Sequence, residues 1–289
     1  ALDEEAAMKT YAAKGRPSDN PLIVHIADIE SLKEIVEEIP EKAKRVMDKF
    51  WPGPLTLIFY KKEIVPLGTT GGLNTVAVRM PMDEIALGLI RAGGGYVSAP
   101  SANTSGRPSP STAQHVMDDM DGKIDMIIDG GNVDIGLEST IVDMTVEPPM
   151  ILRPGYITKA MLEEVVGEVG VDKVVTAKSI KEIGGDYTPK APGMKYRHYA
   201  PKADLTMYEG RIDKVIEVIN AMAENDERQG KKVGIIATDE TMDKYRFGQA
   251  VSIGTRKDEE SIARGLYGIL RDFDSMDVDA IYSETFYDD

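Results

Sequence analysis

Cysteine is missing from all 289 residues. That excludes disulfides, thiolate nucleophiles and cysteine-based zinc sites together, and a reducing cytoplasm fits the absence. Positive charge is short as well: 34 Lys and Arg stand against 49 Asp and Glu, a formal net charge of −15. A broad nucleic-acid-binding face needs clustered cations, so no direct tight nucleic-acid binding is expected. No apolar run approaches the roughly 18–20 residues of a membrane helix, and no secretory signal is visible. Histidine occurs three times, at His25, His115 and His198. None sits in an HxH or HExxH pattern, and no carboxylate-rich constellation appears, so no residue is assigned to a metal. The GxSxG elbow and the GxGxxG and GxxxxGK[ST] phosphate loops are likewise absent. These exclusions describe an acidic, cytoplasmic protein with no membrane partner.

What is present predicts two domains, because 42% hydrophobic residues in a chain this long can bury a large core. Over residues 1–172 the runs LIVHI (22–26), LTLIFY (55–60), TVAVRM (75–80), YVSAPS (96–101), DMIIDG (125–130) and STIVDM (139–144) read as strands. SLKEIVEEIPEKAKRVMDKF and MDEIALGLIRAG between them have helical spacing. This irregular alternation predicts an α+β domain on a mixed, twisted sheet. Residues 173–203 are rich in proline and glycine without periodicity and read as a linker or lid. Residues 204–289 alternate DLTMYE, RIDKVIEVINAMAEND, KVGIIAT, QAVSIG, ESIARGLYGILRDF and DAIYSE, the pattern of a small parallel α/β (Rossmann-like) domain. The first helix shows no start signal, and a further helix is expected after Asp289. Both ends therefore suggest a chain whose natural termini lie beyond residues 1 and 289.

Three clusters could carry chemistry. Lys14 and Arg16 flank a glycine in KGRP. Groups at i, i+2 share a face only in extended chain, and the residue before proline favours that geometry, so the pair could clamp a polyphosphate. An exposed basic loop explains the same residues. SAPSANTSGRPSPST (98–112) follows a strand and offers Ser98, Ser101, Asn103, Thr104, Ser105, Arg107, Ser109 and Ser111. It could line a nucleotide or amino-acid site, or simply turn the chain and cap the helix TAQHVMDDM. GLESTIVDM and ILRPGYIT place Ser139, Thr140 and Arg153 around what could be a pocket edge or an ordinary hairpin. His25 reads as a core or edge histidine, and His115 as a surface one.

In order along the chain, KGRPSDNPLIVHI, WPGPLT, VAVRMP, SAPSANTSGRPSPST, ESTIVD, LRPG and APGMKYRHYAP resemble the two-domain threonylcarbamoyl-AMP synthases. The first domain of that family has the YrdC-like fold, and the similarity covers essentially the whole chain. The family's Lys-x-Arg and Ser-x-Asn pairs fall on Lys14, Arg16, Ser101 and Asn103. The resemblance implies condensation of L-threonine, bicarbonate or CO2 and ATP into threonylcarbamoyl-adenylate plus pyrophosphate, with Mg2+ accompanying ATP. A downstream transferase would then modify tRNA.

By motif position, Lys14 and Arg16 are implied as catalytic, and Lys14, Arg16, Asn20, Thr75, Ser101, Asn103, Ser109 and Arg153 as ATP contacts. His25, Arg79 and Ser139 are implied to hold L-threonine, and Lys195, Tyr196 and His198 to form a lid. Family members carry a T-x-Y-G-L segment upstream of the point where Ala1 begins, so part of the threonine pocket is expected there. Two rivals remain at this stage. One is a non-catalytic RNA-binding YrdC-like module, opposed by the net charge. The other is a carbamoyltransferase of the hydrogenase-maturation type, opposed by the lack of zinc-finger cysteines.

Overall fold

The computed structural model describes residues 1–176, 191 and 200–286. Two compact units emerge: residues 1–105, 119–126 and 137–197 form the first, and residues 106–118, 127–136 and 198–289 the second. The linear domain boundaries read from the sequence do not separate out the two inner segments that group with the second unit.

The first unit is built on a seven-stranded mixed sheet of order β4-β1-β3-β2-β5-β6-β7. Its strands are β1 (Ile23–His25), β2 (Leu55–Tyr60), β3 (Thr75–Arg79), β4 (Val97–Ala99), β5 (Thr140–Asp143), β6 (Met150–Arg153) and β7 (Gly170–Val171). β1 runs parallel to β3 and β2 parallel to β5, while β2 is antiparallel to β3, β4 to β1 and β6 to β5. Alternate residues of a strand point to opposite faces. One face, with Val24, Val78, Leu57 and Val142, joins the main core. There it meets Leu32 and Ile35 of α2 (Ile29–Ile35), Ala43, Val46 and Met47 of α3 (Glu41–Phe50), and Leu162 and Val166 of α7 (Lys159–Val166). The other face carries Ile23, Ile58, Ala77 and Ile141 in a smaller cluster with Leu152 and Ala191. Ala191, from the predicted linker, is wholly buried there.

Local chemistry explains the helix ends. α1 (Glu4–Lys14) starts on Asp3, whose carboxylate accepts from Ala6 N at 3.1 Å, a start signal that the sequence reading missed. It stops at Gly15, left-handed at φ 61°, with Gly15 N donating to Ala12 O and Arg16 N to Tyr11 O. That is the paired-bond glycine cap of a helix C-terminus. The long helical pattern over 31–50 is divided at Pro40 into α2 and α3. α4 (Leu67–Thr70), α5 (Glu84–Ala92) and α8 (Lys173–Thr176) complete the first unit. The expected strand at 125–130 does not form. Met126 and Ile128 stand 75% and 53% exposed, and no strand among the described residues pairs with the segment, which stays irregular.

The second unit carries α6 (Ala113–Met120) over most of its length, capped by Thr112 Oγ1, which accepts from His115 N at 3.2 Å. Neither Ser109 nor Ser111 is the cap. A four-stranded, all-parallel sheet of order β10-β9-β11-β8 follows, from β8 (Asp204–Tyr208), β9 (Val233–Ala237), β10 (Gln249–Ser252) and β11 (Ala280–Glu284). α9 (Ile212–Arg228) and α10 (Glu259–Met276) supply the helices of its βαβ crossovers. Gly234 lies against the Phe273 ring of α10, at 2.8 Å from where a Cβ would stand.

Candidate active site

The sheet register of the first unit lines up a polar row that the sequence scatters over nearly 130 positions. His25 is opposite Arg79, Arg79 opposite Thr56, Thr56 opposite Ile141, and Ile141 opposite Arg153. Directly paired residues share a face. His25, Arg79, Thr56 and Ile141 therefore lie on the face away from the main helices, beside the small apolar patch of Ile23, Ile58 and Ala77. Arg153 stands at a register shift between β5 and β6 and reaches the row through Ser139.

Two arginines dominate this end. Arg79 Nε donates to Gly53 O at 3.0 Å, and its terminal nitrogens have no protein partner among the described residues. Arg153 folds over the start of β5. Its Nε and Nη2 donate to Ser139 O at 3.1 and 2.9 Å, and Nη2 also donates to Ser139 Oγ at 3.0 Å. Gly155 allows the turn after β6 to press on this loop, since a Cβ would lie 2.4 Å from Glu138 O and 2.7 Å from Thr140 N. Neither arginine has a carboxylate partner among the described residues. Burial first, and the Arg153 charge second, push the Arg79 guanidinium down to about 10. Burial, then Arg79, push His25 down to about 4, so its imidazole is neutral near pH 7. His25 Nδ1 lies 3.1 Å from Ile23 O. An end of a sheet with surplus half-buried cations and an uncharged imidazole suits an anion such as a carboxylate.

At the other end of the same strands a second cluster forms. Lys14 is buried, and its ammonium donates to Ser101 O, Asn103 O and Asn103 Oδ1. Burial first and Arg16 second push it down to about 7, with Asp119 opposing them. Asp119, a buried carboxylate, also accepts from Thr104 N at 3.0 Å and so fixes the loop that Lys14 holds. Arg16 curls onto the following loop, with Nε donating to Asn20 O at 3.1 Å and Nη2 to Asn20 Oδ1 and Pro21 O at 2.8 and 2.9 Å. The extended-chain clamp expected of Lys14 and Arg16 is therefore not the geometry found. Lys14 ends a helix, Gly15 reverses the chain, and the two side chains serve different loops. Asn20 Nδ2 and the Tyr11 hydroxyl are buried with no partner among the described residues, so each is a donor that a ligand or water would satisfy. Thr75 opens β3 at this end, buried. Four residues separate Thr75 from Arg79, about 13 Å of strand, so the two polar clusters flank the apolar patch at a spacing suited to a ligand with two polar ends.

The structure thus gathers Lys14 with Ser101 and Asn103, Arg16 with Asn20, and His25 with Arg79. It places Arg153 with Ser139 rather than with Lys14. Ser109 belongs to the second unit, where neighbouring Pro108 O accepts from buried Arg271 at 2.6 Å (Nη2) and 3.1 Å (Nε). His115 is half-buried there, its Nδ1 3.3 Å from Ser111 N, and is not the free surface residue expected. Lys195, Tyr196 and His198 lie outside the described residues. Sequence reading missed Thr56 and Asp119. The only signal for Thr56 is a single hydroxyl in a strand otherwise buried and apolar up to Tyr60.

Comparison with known proteins identifies the family. The family model described as Telomere recombination (Sua5, YciO and YrdC) matches residues 1–155, and that of Threonylcarbamoyl-AMP synthase, C-terminal domain matches residues 157–289. Threonylcarbamoyl-AMP synthase of Pyrococcus abyssi is 48% identical over 284 residues, spanning 98% of this chain and 80% of its own length. Its Bacillus subtilis counterpart is 46% identical over 289 residues, spanning 100% and 80%. The crystal structure of P. abyssi Sua5 complexed with L-threonine matches with a TM-score of 0.90 and 47% identity, covering 98% of this chain and 80% of that one. The chain belongs to the threonylcarbamoyl-AMP synthase family.

Proposed function

We propose that this chain condenses L-threonine, bicarbonate or CO2 and ATP into L-threonylcarbamoyladenylate, releasing pyrophosphate. It is a cytoplasmic nucleotidyltransferase, and its adenylate feeds a downstream transferase that installs threonylcarbamoyladenosine in tRNA. The observation that carries the site reading is the pair Arg79 and Arg153, cations without a carboxylate partner among the described residues at one end of a buried row. The threonine carboxylate lies on Arg79, whose terminal nitrogens match its two oxygens, and Ser139 binds beside it.

The amine of threonine rests near His25. Because that imidazole is neutral, it adds no positive charge against the amine. The neutral amine forms a C–N bond to the carbon of CO2, giving up a proton to solvent, or to that of bicarbonate with loss of water. A carbamate oxygen then bonds to the α-phosphorus of ATP as the bond to the pyrophosphate oxygen breaks. Arg16, Asn20, Thr75, Ser101 and Asn103 serve the nucleotide end. Lys14 holds the 101–103 loop in place and lends its charge to the phosphates. Mg2+ arrives with ATP. That ion would be carried on the phosphate oxygens of the substrate.

Among the described residues no helix is long and apolar enough to cross a membrane. The test is pyrophosphate release that requires threonine, bicarbonate and ATP together. Lys14→Ala and Arg16→Ala should lose most of it. Wild-type turnover in both variants would sink their assignment, and release independent of threonine would sink the proposed reaction.

A further inference from the structure

Ser139 is 3% exposed and Thr56 is wholly buried, and their hydroxyl oxygens lie 2.7 Å apart. Either hydroxyl could donate, but the surroundings decide between them. A hydroxyl has one proton and two lone pairs. The Ser139 oxygen already accepts from Arg153 Nη2 at 3.0 Å. Thr56 Oγ1 has no partner other than Ser139 among the described residues. If Ser139 donated to Thr56, the Thr56 proton would be sealed in the sheet with no acceptor, a cost that buried donors rarely carry. If Thr56 donates instead, its proton is satisfied and both Ser139 lone pairs are filled. The Ser139 proton is then left over, and the side chain can act only as a donor to something that the chain does not supply.

We infer that Thr56 is a positioning residue that fixes Ser139 as a hydrogen-bond donor toward a carboxylate oxygen of the amino-acid substrate. The neighbouring charge agrees with an anionic acceptor, because Arg153 contacts the same oxygen and Arg79 is the residue opposite Thr56 in the sheet. The inference rests on the reading of Ser139 as a threonine contact and extends it to a residue that never touches substrate. Its consequence is selectivity: a threonine analogue whose carboxylate is replaced by an amide presents an NH2 as readily as an oxygen to a hydroxyl restricted to donating.

The experiment measures KM and kcat for threonine and for ATP in wild type, Thr56→Val, Thr56→Ser, Ser139→Ala and the double variant Thr56→Val/Ser139→Ala. Thr56→Val is expected to raise the threonine KM about five- to tenfold, in line with loss of one buried hydrogen bond of about 1–1.4 kcal/mol, while the ATP KM stays within twofold. Thr56→Ser should restore the wild-type value, and Thr56→Val should add nothing once Ser139 is alanine. Should Thr56→Val precipitate, Thr56→Cys, of similar size but a weak donor, carries the same expectation. An unchanged threonine KM in Thr56→Val, an equal rise in both KM values, or full additivity with Ser139→Ala would overturn the inference. Wild type without threonine-dependent pyrophosphate release would instead overturn the proposed function.

Discussion

The two units treat one charged side chain each, Glu284 and Arg79, in opposite ways. In the second, the Glu284 carboxylate at the end of β11 is wholly buried and accepts from Thr238 N, Thr238 Oγ1, Thr241 Oγ1, Arg256 Nη2 and the Tyr245 hydroxyl. Its charge is matched by Arg256 at 2.9 Å. In the first, Arg79 spends one nitrogen on Gly53 O, faces the like charge of Arg153, and has no carboxylate among the described residues. A charge closed on itself holds a fold together, and a charge left open waits for a ligand.

That contrast can be broken most forcefully at Arg79. Arg79→Gln should lower kcat/KM for threonine at least a hundredfold, since a fork of charge-assisted bonds is worth about 3 kcal/mol or more. Its denaturation midpoint should hold, because the change removes an uncompensated charge from the fold. Glu284→Gln should do the reverse. Leaving Arg256 without its counter-charge costs about 3 kcal/mol in urea unfolding, while turnover per folded molecule stays near wild type. Gly155→Ala sits between the two. Its Cβ would collide with Glu138 O and Thr140 N, costing about 1–3 kcal/mol and raising the threonine KM as Ser139 shifts.

A pH-dependent effect belongs to Lys14, pushed down to about 7 from 10.5. Between those values the unfolded lysine keeps a proton that the folded one has lost. Stability therefore rises with pH across the window and is lost as pH falls toward 7, by at most about 1.4 kcal/mol per pH unit. Lys14→Met should flatten that slope, read as the difference in urea midpoints at pH 7 and pH 9. An identical slope in both proteins would contradict it.

Much of the frame was legible because its signals are local. LTLIFY and TVAVRM are runs of β-branched and aromatic residues, and they form β2 and β3 within a residue of the expected bounds. The second unit followed its alternation of strand and helix element by element. Local signals also misled. The short apolar run at 125–130 looks like a strand until a partner is needed, and the Lys14–Arg16 spacing looks extended until Gly15 is seen capping a helix. The open end of the site is a property of register. Nothing in the order of residues brings Thr56 beside Ser139, 83 positions away, or sets it opposite Arg79. A buried Asp119 holding the 104 loop is equally silent in HVMDDM.

The most direct test of the open-charge account is the heat of binding of L-threonine against L-threoninamide, in which a neutral amide replaces the charged carboxylate. The account predicts that threonine binds and that the amide binds at least a hundredfold more weakly. Equal affinity for the two would show that Arg79 and Arg153 are not waiting for a carboxylate.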